Sequence, residues 1–224
     1  MEYEKLDPIP LTVCQEELRR RIGADRRATL SPRIQGAAER ATDEVHDRAE
    51  AQGLYRVVPI EKVDGVVRLE GGIPLESERL AEVLDPCDEA VVFLATIGPE
   101  IDRTIEERME EQPHYGCVLD AAASVAAESV AEYVQDEIDE RLDDDLRTTL
   151  RYSPGYCDWP LSAQVALFEA LPNDVLGVEL SDACLMSPRK TVSGIIGICP
   201  AGSRQDSGNA CRVCPKTSCP HRRE

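Results

Sequence analysis

The 224-residue sequence predicts an α+β fold. Helical and strand patterns mix along the chain without the regular alternation of a doubly wound sheet. Asp64-Gly65 lies between two runs of period-two hydrophobicity, the mark of a tight hairpin and hence of antiparallel pairing. Near the middle, one stripe at helical spacing runs from about Gly116 to Leu142 and predicts a single long helix.

The elements follow in order. Leu18 and Ile22 share a helical face over residues 15–22, with Gly23 as the stop. Ser31-Pro32 reads as an N-cap followed by proline in the first turn. The helix it opens places Ile34, Ala38, Ala41, Val45 and Ala49 on one face and closes at Gly53; His46 beside that face is structural. Strands are predicted over 54–63 and 66–69, then a short helix over 75–84 broken by Asp85-Pro86. The apolar run from Ala90 to Thr96 reads as a buried strand, and Gly98-Pro99 opens a helix bearing Ile101, Ile105 and Met109. The first half of the long helix, residues 120–128, is rich in small side chains, which let a neighbouring backbone or a flat ligand approach closely. Beyond Leu146 come short pieces: strands at 148–152, 175–180 and 192–198, and a helix near 161–171.

Composition narrows the function. The formal charge is −18, with 21 Arg against 4 Lys, so phosphate backbones would be repelled and nucleic acid is not an expected partner. Such a balance also fits a salt-adapted or high-GC source. No apolar run reaches the ~18 residues of a spanning helix, so no membrane role is expected. The charged start, Met1 to Lys5, has no apolar segment after it, which implies a cytoplasmic protein. No GxGxxG or GxxxxGK[ST] loop is present.

Residues 199–224 form a separate compositional unit with a charge of +3 and four of the nine cysteines: Cys199, Cys211, Cys214 and Cys219. The boundary gives a body of residues 1–198 and a tail of 199–224. A CxxC pair with two more thiols nearby is a metal-ligand pattern, and a tail so poor in apolar residues needs such a staple. Proline follows three of these cysteines, as at the end of bacterial ferredoxin runs, which favours a 4Fe–4S cluster; zinc on the same thiolates, with His221 in reserve, stays open. The remaining cysteines are scattered singly and read as small core residues or incidental thiols rather than nucleophiles.

Two stretches carry more chemistry than packing needs. Residues 151–160 (RYSPGYCDWP) combine a fixed cation, a Pro-Gly turn, two large aromatics and the only tryptophan. Arg151 is suited to a ligand carboxylate, Gly155 to close approach of the main chain, and Tyr156 to a flat ring. An ordinary turn has the same features. The second stretch is residues 180–197 (LSDACLMSPRKTVSGIIG).

These two segments resemble the RxxPGYxxxP signature and the downstream LT(E/D)SxxMxPxxSVSG segment of the activation domain of cobalamin-dependent methionine synthase. They occur in the same order, and residues 125–133 are similar to the helix that precedes the signature. The resemblance covers residues 116–198 and leaves out the cysteine tail. It implies a largely antiparallel mixed sheet with one long helix beside a ligand groove. It also implies S-adenosylmethionine as ligand and a cobalamin to be remethylated after oxidation, one electron making the cobalt nucleophilic towards the sulfonium methyl. By the same pattern Arg151 holds the methionyl carboxylate, and Ser153 and Gly155 give backbone contacts. Tyr156, the one catalytic candidate, faces the corrin, and Glu128 lies near the ligand's amino end.

The chain lacks a DxHxxG cobalamin motif, so the cobalamin is expected on a partner, a methionine synthase or another corrinoid protein. Ile195-Ile196-Gly197-Ile198 stand where the family often has aromatics, which removes a ring contact with adenine from that strand. The expected activity is therefore that of a free-standing component of cobalamin-dependent methyltransfer. Docking or electron transfer to a corrinoid methyltransferase without S-adenosylmethionine is the alternative, and a zinc-stapled interaction protein the third reading.

Overall fold

The computed structural model describes residues 2–23, 30–203, 214 and 218. In chain order it contains β1 (Glu4–Leu6), α1 (Gln15–Arg21), α2 (Pro32–Arg48), β2 (Gln52–Val63), β3 (Val66–Leu69), β4 (Ile73–Leu75), α3 (Glu78–Leu84) and β5 (Glu89–Thr96). Then come α4 (Pro99–Glu111), α5 (Pro113–Asp139), β6 (Leu146–Thr148), α6 (Gln164–Ala170), β7 (Glu179–Leu180), β8 (Met186–Ser187) and β9 (Thr191–Pro200). Short 3-10 turns at Leu161–Ala163 and Asn173–Leu176 flank α6.

The main sheet runs β4-β3-β2-β5-β9-β6, with β1 also on β2, and every pairing is antiparallel. This is the α+β class that the sequence predicts. Asp64 and Gly65 take φ of +54° and +80° at the β2–β3 turn, the left-handed values such a hairpin requires. The buried strand is β5, whose seven residues from Ala90 to Thr96 are all buried, as expected of a strand covered on both faces. The outer strands β1, β4 and β6 have three residues each.

Two apolar cores lie on opposite faces of this sheet. Alternation sends Val91, Phe93 and Ala95 to one face, under α2, α4 and α5. Val92 and Leu94 go to the other, with α3, α6 and the residues after β6. Small residues of α5 (Ala122, Ala123, Ala126, Ala127) bring its axis close to the sheet. A Cβ on Gly53 of β2 would stand 2.7 Å from Val134, so glycine is needed where α5 crosses that strand.

Some boundaries differ from the sequence expectation. The first long helix ends at Arg48 rather than Gly53, because the chain must turn to start β2, and Ile34 of its predicted apolar face is exposed. The predicted helix over 75–84 begins only after Ser77, whose side chain accepts from Leu80 N–H; Leu75 closes β4 instead. Residues 175–176 form a 3-10 turn, not a strand. No helix among the described residues is long and apolar enough to cross a membrane.

Glu44 ties α2 to α4 and α5. Its carboxylate accepts from Arg108 Nη2 at 2.7 Å and from Tyr115 Oη at 2.6 Å. Burial acts to raise its pKa, but the hydrogen bonds from Arg108 and Tyr115 prevail and hold it below the usual carboxylate value. A depressed folded pKa stabilises the fold above the carboxylate range, and the contribution disappears as pH falls through it. Glu44→Gln is therefore expected to cost about 1.5–3 kcal/mol near neutrality. In chemical denaturation the gap to wild type should narrow steadily as pH is lowered into the carboxylate range.

Candidate functional site

The site starts at the edge strand β6. Beyond it the chain stays beside β9: Thr149 N–H donates to Gly197 O, and Tyr152 and Ile195 exchange both backbone hydrogen bonds at 2.9 and 2.8 Å. In extended chain successive side chains point to opposite faces. Arg151 accordingly goes to the α5 side and Tyr152 into the second core. There Arg151 Nη2 donates to Glu128 Oε2 of α5 at 3.0 Å, the two side chains being 14% and 20% exposed. Arg21 Nη2 approaches the other Glu128 oxygen at 3.9 Å.

Residues 153–159 then fold on themselves. Tyr156 N–H donates to Ser153 O, Trp159 N–H to Tyr156 O, and Gly155 N–H to Trp159 O at 2.8 Å. Gly155 has φ of +94° and is exposed; a Cβ there would meet only Leu161, 4.0 Å away, so its backbone conformation rather than crowding calls for glycine. The half-buried Tyr156 ring meets Tyr152 edge-on at 6.2 Å, and Tyr152 packs on Trp159 at 6.0 Å. Burial, and then Cys157, push the Tyr152 phenol well above its usual range, so it stays protonated.

Asp158 fastens the loop to α3. It accepts from Ser77 Oγ at 2.7 Å and from Arg79 N–H at 3.2 Å. Burial acts to raise its pKa, yet these hydrogen bonds hold the carboxyl below its usual value. The second sequence stretch arrives from the other side. On β9, Ser193 donates to Gln164 of α6, and Gln164 Nε2 donates to Cys184 O at 3.4 Å. Lys190 Nζ donates to Asp120 Oδ1 at 2.7 Å and Ser124 Oγ at 2.8 Å, fixing the start of β9 to α5. A Cβ on Gly194 would stand 2.7 Å from the Phe93 ring and 2.9 Å from Tyr152 O. Glycine there is what lets the loop backbone lie against β9.

The structure thus brings Glu128 to Arg151 and runs Ser153, Gly155 and Tyr156 on from that pair, with the Tyr156 ring turned to the opposite core. Asp158 and Lys190 lie within the two chemistry-rich stretches and Gln164 outside them, and sequence reasoning assigns none of the three an individual role. Their roles depend on contacts between distant segments, and only the Ser77 to Asp158 link carries a local cue, the N-cap serine.

Of the predicted metal ligands, Cys199 is buried on β9 in contact with Cys87, and Cys214 packs against the second core beside Cys157. Cys211 and Cys219 lie outside the described residues. Among the described residues, no group of three or more His, Cys, Asp or Glu is placed to hold a metal ion.

Comparison with solved structures gives a match to the crystal structure of the MetH reactivation domain bound to AdoHcy. It covers 91% of this chain and 80% of that one, with a TM-score of 0.60 and 16% sequence identity. The chain shares the fold of that domain. No protein-family profile matches the sequence, and no curated protein does. The reactivation-domain fold is thus reached at low identity, on the same antiparallel sheet and flanking helices described above.

Because Gly194 sets the distance between loop and sheet, Gly194→Ala is expected to cost about 1–3 kcal/mol in denaturant unfolding. Gly202→Ala, whose added Cβ would meet nothing within 4 Å, should stay within about 0.5 kcal/mol of wild type.

Proposed function

We propose that the protein binds S-adenosylmethionine at Arg151 and Glu128 and offers its methyl group to a cobalamin carried by a methionine synthase or another corrinoid methyltransferase. The Arg151–Glu128 pair is the observation that carries this reading. Two mostly buried opposite charges come from segments 23 residues apart and meet at the mouth of a glycine-bearing turn. The methionyl end of the ligand is a zwitterion with the complementary pattern. Its carboxylate suits the fork of Arg151, and its ammonium suits Glu128. Exchanging one internal ion pair for two matched contacts leaves neither Arg151 nor Glu128 without a partner.

The rest of the loop fits the same task. Gly155 presents exposed main chain without a side chain, and Ser153 precedes it in a buried position. Tyr156 is held edge-on against Tyr152, which fixes its ring at the turn, and exposed Leu161 lies next to Gly155. The half-exposed Tyr156, on the face of the sheet opposite the ion pair, and the exposed Leu161 are the candidate surface for a flat macrocycle. Cobalamin supplies the reduced cobalt that accepts the methyl group. This chain's own residues hold the donor by its amino-acid end and shape the surface that meets the corrin. The fold shared with a reactivation domain bound to AdoHcy supports the reading.

Calorimetric titration of S-adenosylmethionine into anaerobically purified protein tests this. Micromolar binding is expected, and Arg151→Ala should weaken it by about 1.5–3 kcal/mol, on the order of tenfold to hundredfold in Kd. Glu128→Gln should act in the same direction. Absence of binding to folded wild-type protein overturns the reading and leaves docking or electron transfer to a corrinoid methyltransferase without S-adenosylmethionine.

A further inference from the structure

The acidic member of the candidate pair faces a second cation. Glu128 divides its carboxylate between two guanidinium groups: Oε2 accepts from Arg151 Nη2 at 3.0 Å, and Oε1 stands 3.9 Å from Arg21 Nη2. Arg21 comes from the last turn of α1, far from the segments that carry the sequence signature. The N-terminal segment is firmly seated at this level of α5. Leu18 of α1 is fully buried in the first core, and Ile9 and Val13 enter the same core just before the helix. Thr12 N–H donates to Ser129 Oγ at 3.0 Å, one residue from Glu128. Within α1, Arg21 Nε donates to Glu17 Oε1 at 3.3 Å, four residues back, so the guanidinium is steered towards α5 rather than left to swing.

We propose that Arg21 is a positioning residue of the ligand site: it fixes Glu128 for the ammonium group of an α-amino-acid ligand, so that α1 belongs to the site together with α5 and the Arg151 loop. The inference rests on the reading of Arg151 and Glu128 given above. When Arg151 turns to the ligand carboxylate, Oε2 of Glu128 loses its donor and the ammonium takes that oxygen. Oε1 stays with Arg21. A glutamate already held at one oxygen has less rotamer freedom to lose when the other is bound, which is how preorganisation adds affinity. The second cation also keeps the carboxylate paired throughout the exchange. At 3.9 Å, with side chains 27% and 20% exposed, this is a charge contact rather than a hydrogen bond, so its effect is modest and weakened by salt. Arg21 acts through Glu128 and on the ammonium end alone. The two arginines therefore have separate duties: Arg151 reads the carboxylate, and Arg21 supports the group that reads the amine.

Calorimetry on the full chain separates these duties with two probes, S-adenosylmethionine and its decarboxylated form, which keeps the ammonium and lacks the carboxylate. Arg21→Gln should weaken both probes about three- to fivefold and Arg21→Lys less, whereas Arg151→Ala should weaken S-adenosylmethionine alone. Added to Glu128→Gln, Arg21→Gln should change Kd by less than about twofold, the non-additivity of a residue that acts through its neighbour. Damage to the packing of α1 would instead lower affinity in both backgrounds alike, and thermal unfolding followed by circular dichroism checks that each variant is folded. Failure of wild type to bind S-adenosylmethionine removes the site reading and this inference with it. Wild-type binding with Arg21→Gln unchanged overturns the inference alone. So does full additivity with Glu128→Gln, or an effect that disappears with the decarboxylated probe, which would put Arg21 on the carboxylate.

Discussion

The paired backbone hydrogen bonds between Tyr152 and Ile195 hold an otherwise irregular segment against the centre of the sheet. Once that residue is fixed as extended chain, its neighbours have no freedom of side. Arg151 must face α5, where Glu128 stands, and Tyr152 must enter the core below, where Trp159 and Tyr156 gather. The turn after Ser153 hangs from this point and is held at its far end by Asp158 on the start of α3. A charge pair and an aromatic cluster on opposite faces of one sheet are thus products of a single register. That register depends in turn on Gly194, where any side chain would strike Phe93 and the Tyr152 carbonyl.

α5 has the complementary task. It packs on β5, β2 and β9 in the first core, while Glu128 and Asp120 leave the apolar stripe to meet Arg151 and Lys190. The helix is both the wall of one core and the rigid mount for an acidic group. A mount of this kind keeps a buried ion pair in one geometry. Sequence segments far apart reach α5 at defined heights, Lys190 near its first half and Arg151 further along.

Local chemistry made much of this fold readable. The Asp64-Gly65 turn, the unbroken apolar run of β5, and the Ser31-Pro32 start each carry their cause within a few residues. So does the signature around Pro154-Gly155, which is why the Arg151 loop could be singled out and related to a reactivation-type fold. Less was legible where structure is made between segments. β1 has two charged residues in three and exists because β2 offers it an edge. Leu75 fits a helical stripe by spacing, but pairing with Val67 makes it a strand residue, and Ser77 starts the helix afterwards. Cysteine spacing suggested one group of thiols. The path of β9 puts Cys199 beside Cys87, a neighbour that no one-dimensional pattern contains.

The short outer strands bear on how the protein behaves in crowded or briny solution. β4 and β6 offer only three residues each to a passing chain, and Pro74 within β4 has no N–H to give. A net charge of −18 keeps molecules apart in dilute buffer, but at molar salt the Debye length shrinks to about 3 Å and that repulsion fades. What then resists strand-on-strand polymerisation is geometry: among the described residues each end of the sheet is a strand of three residues, a short template for another. Colloidal stability in this fold therefore has an ionic component that salt removes and a steric one that it cannot.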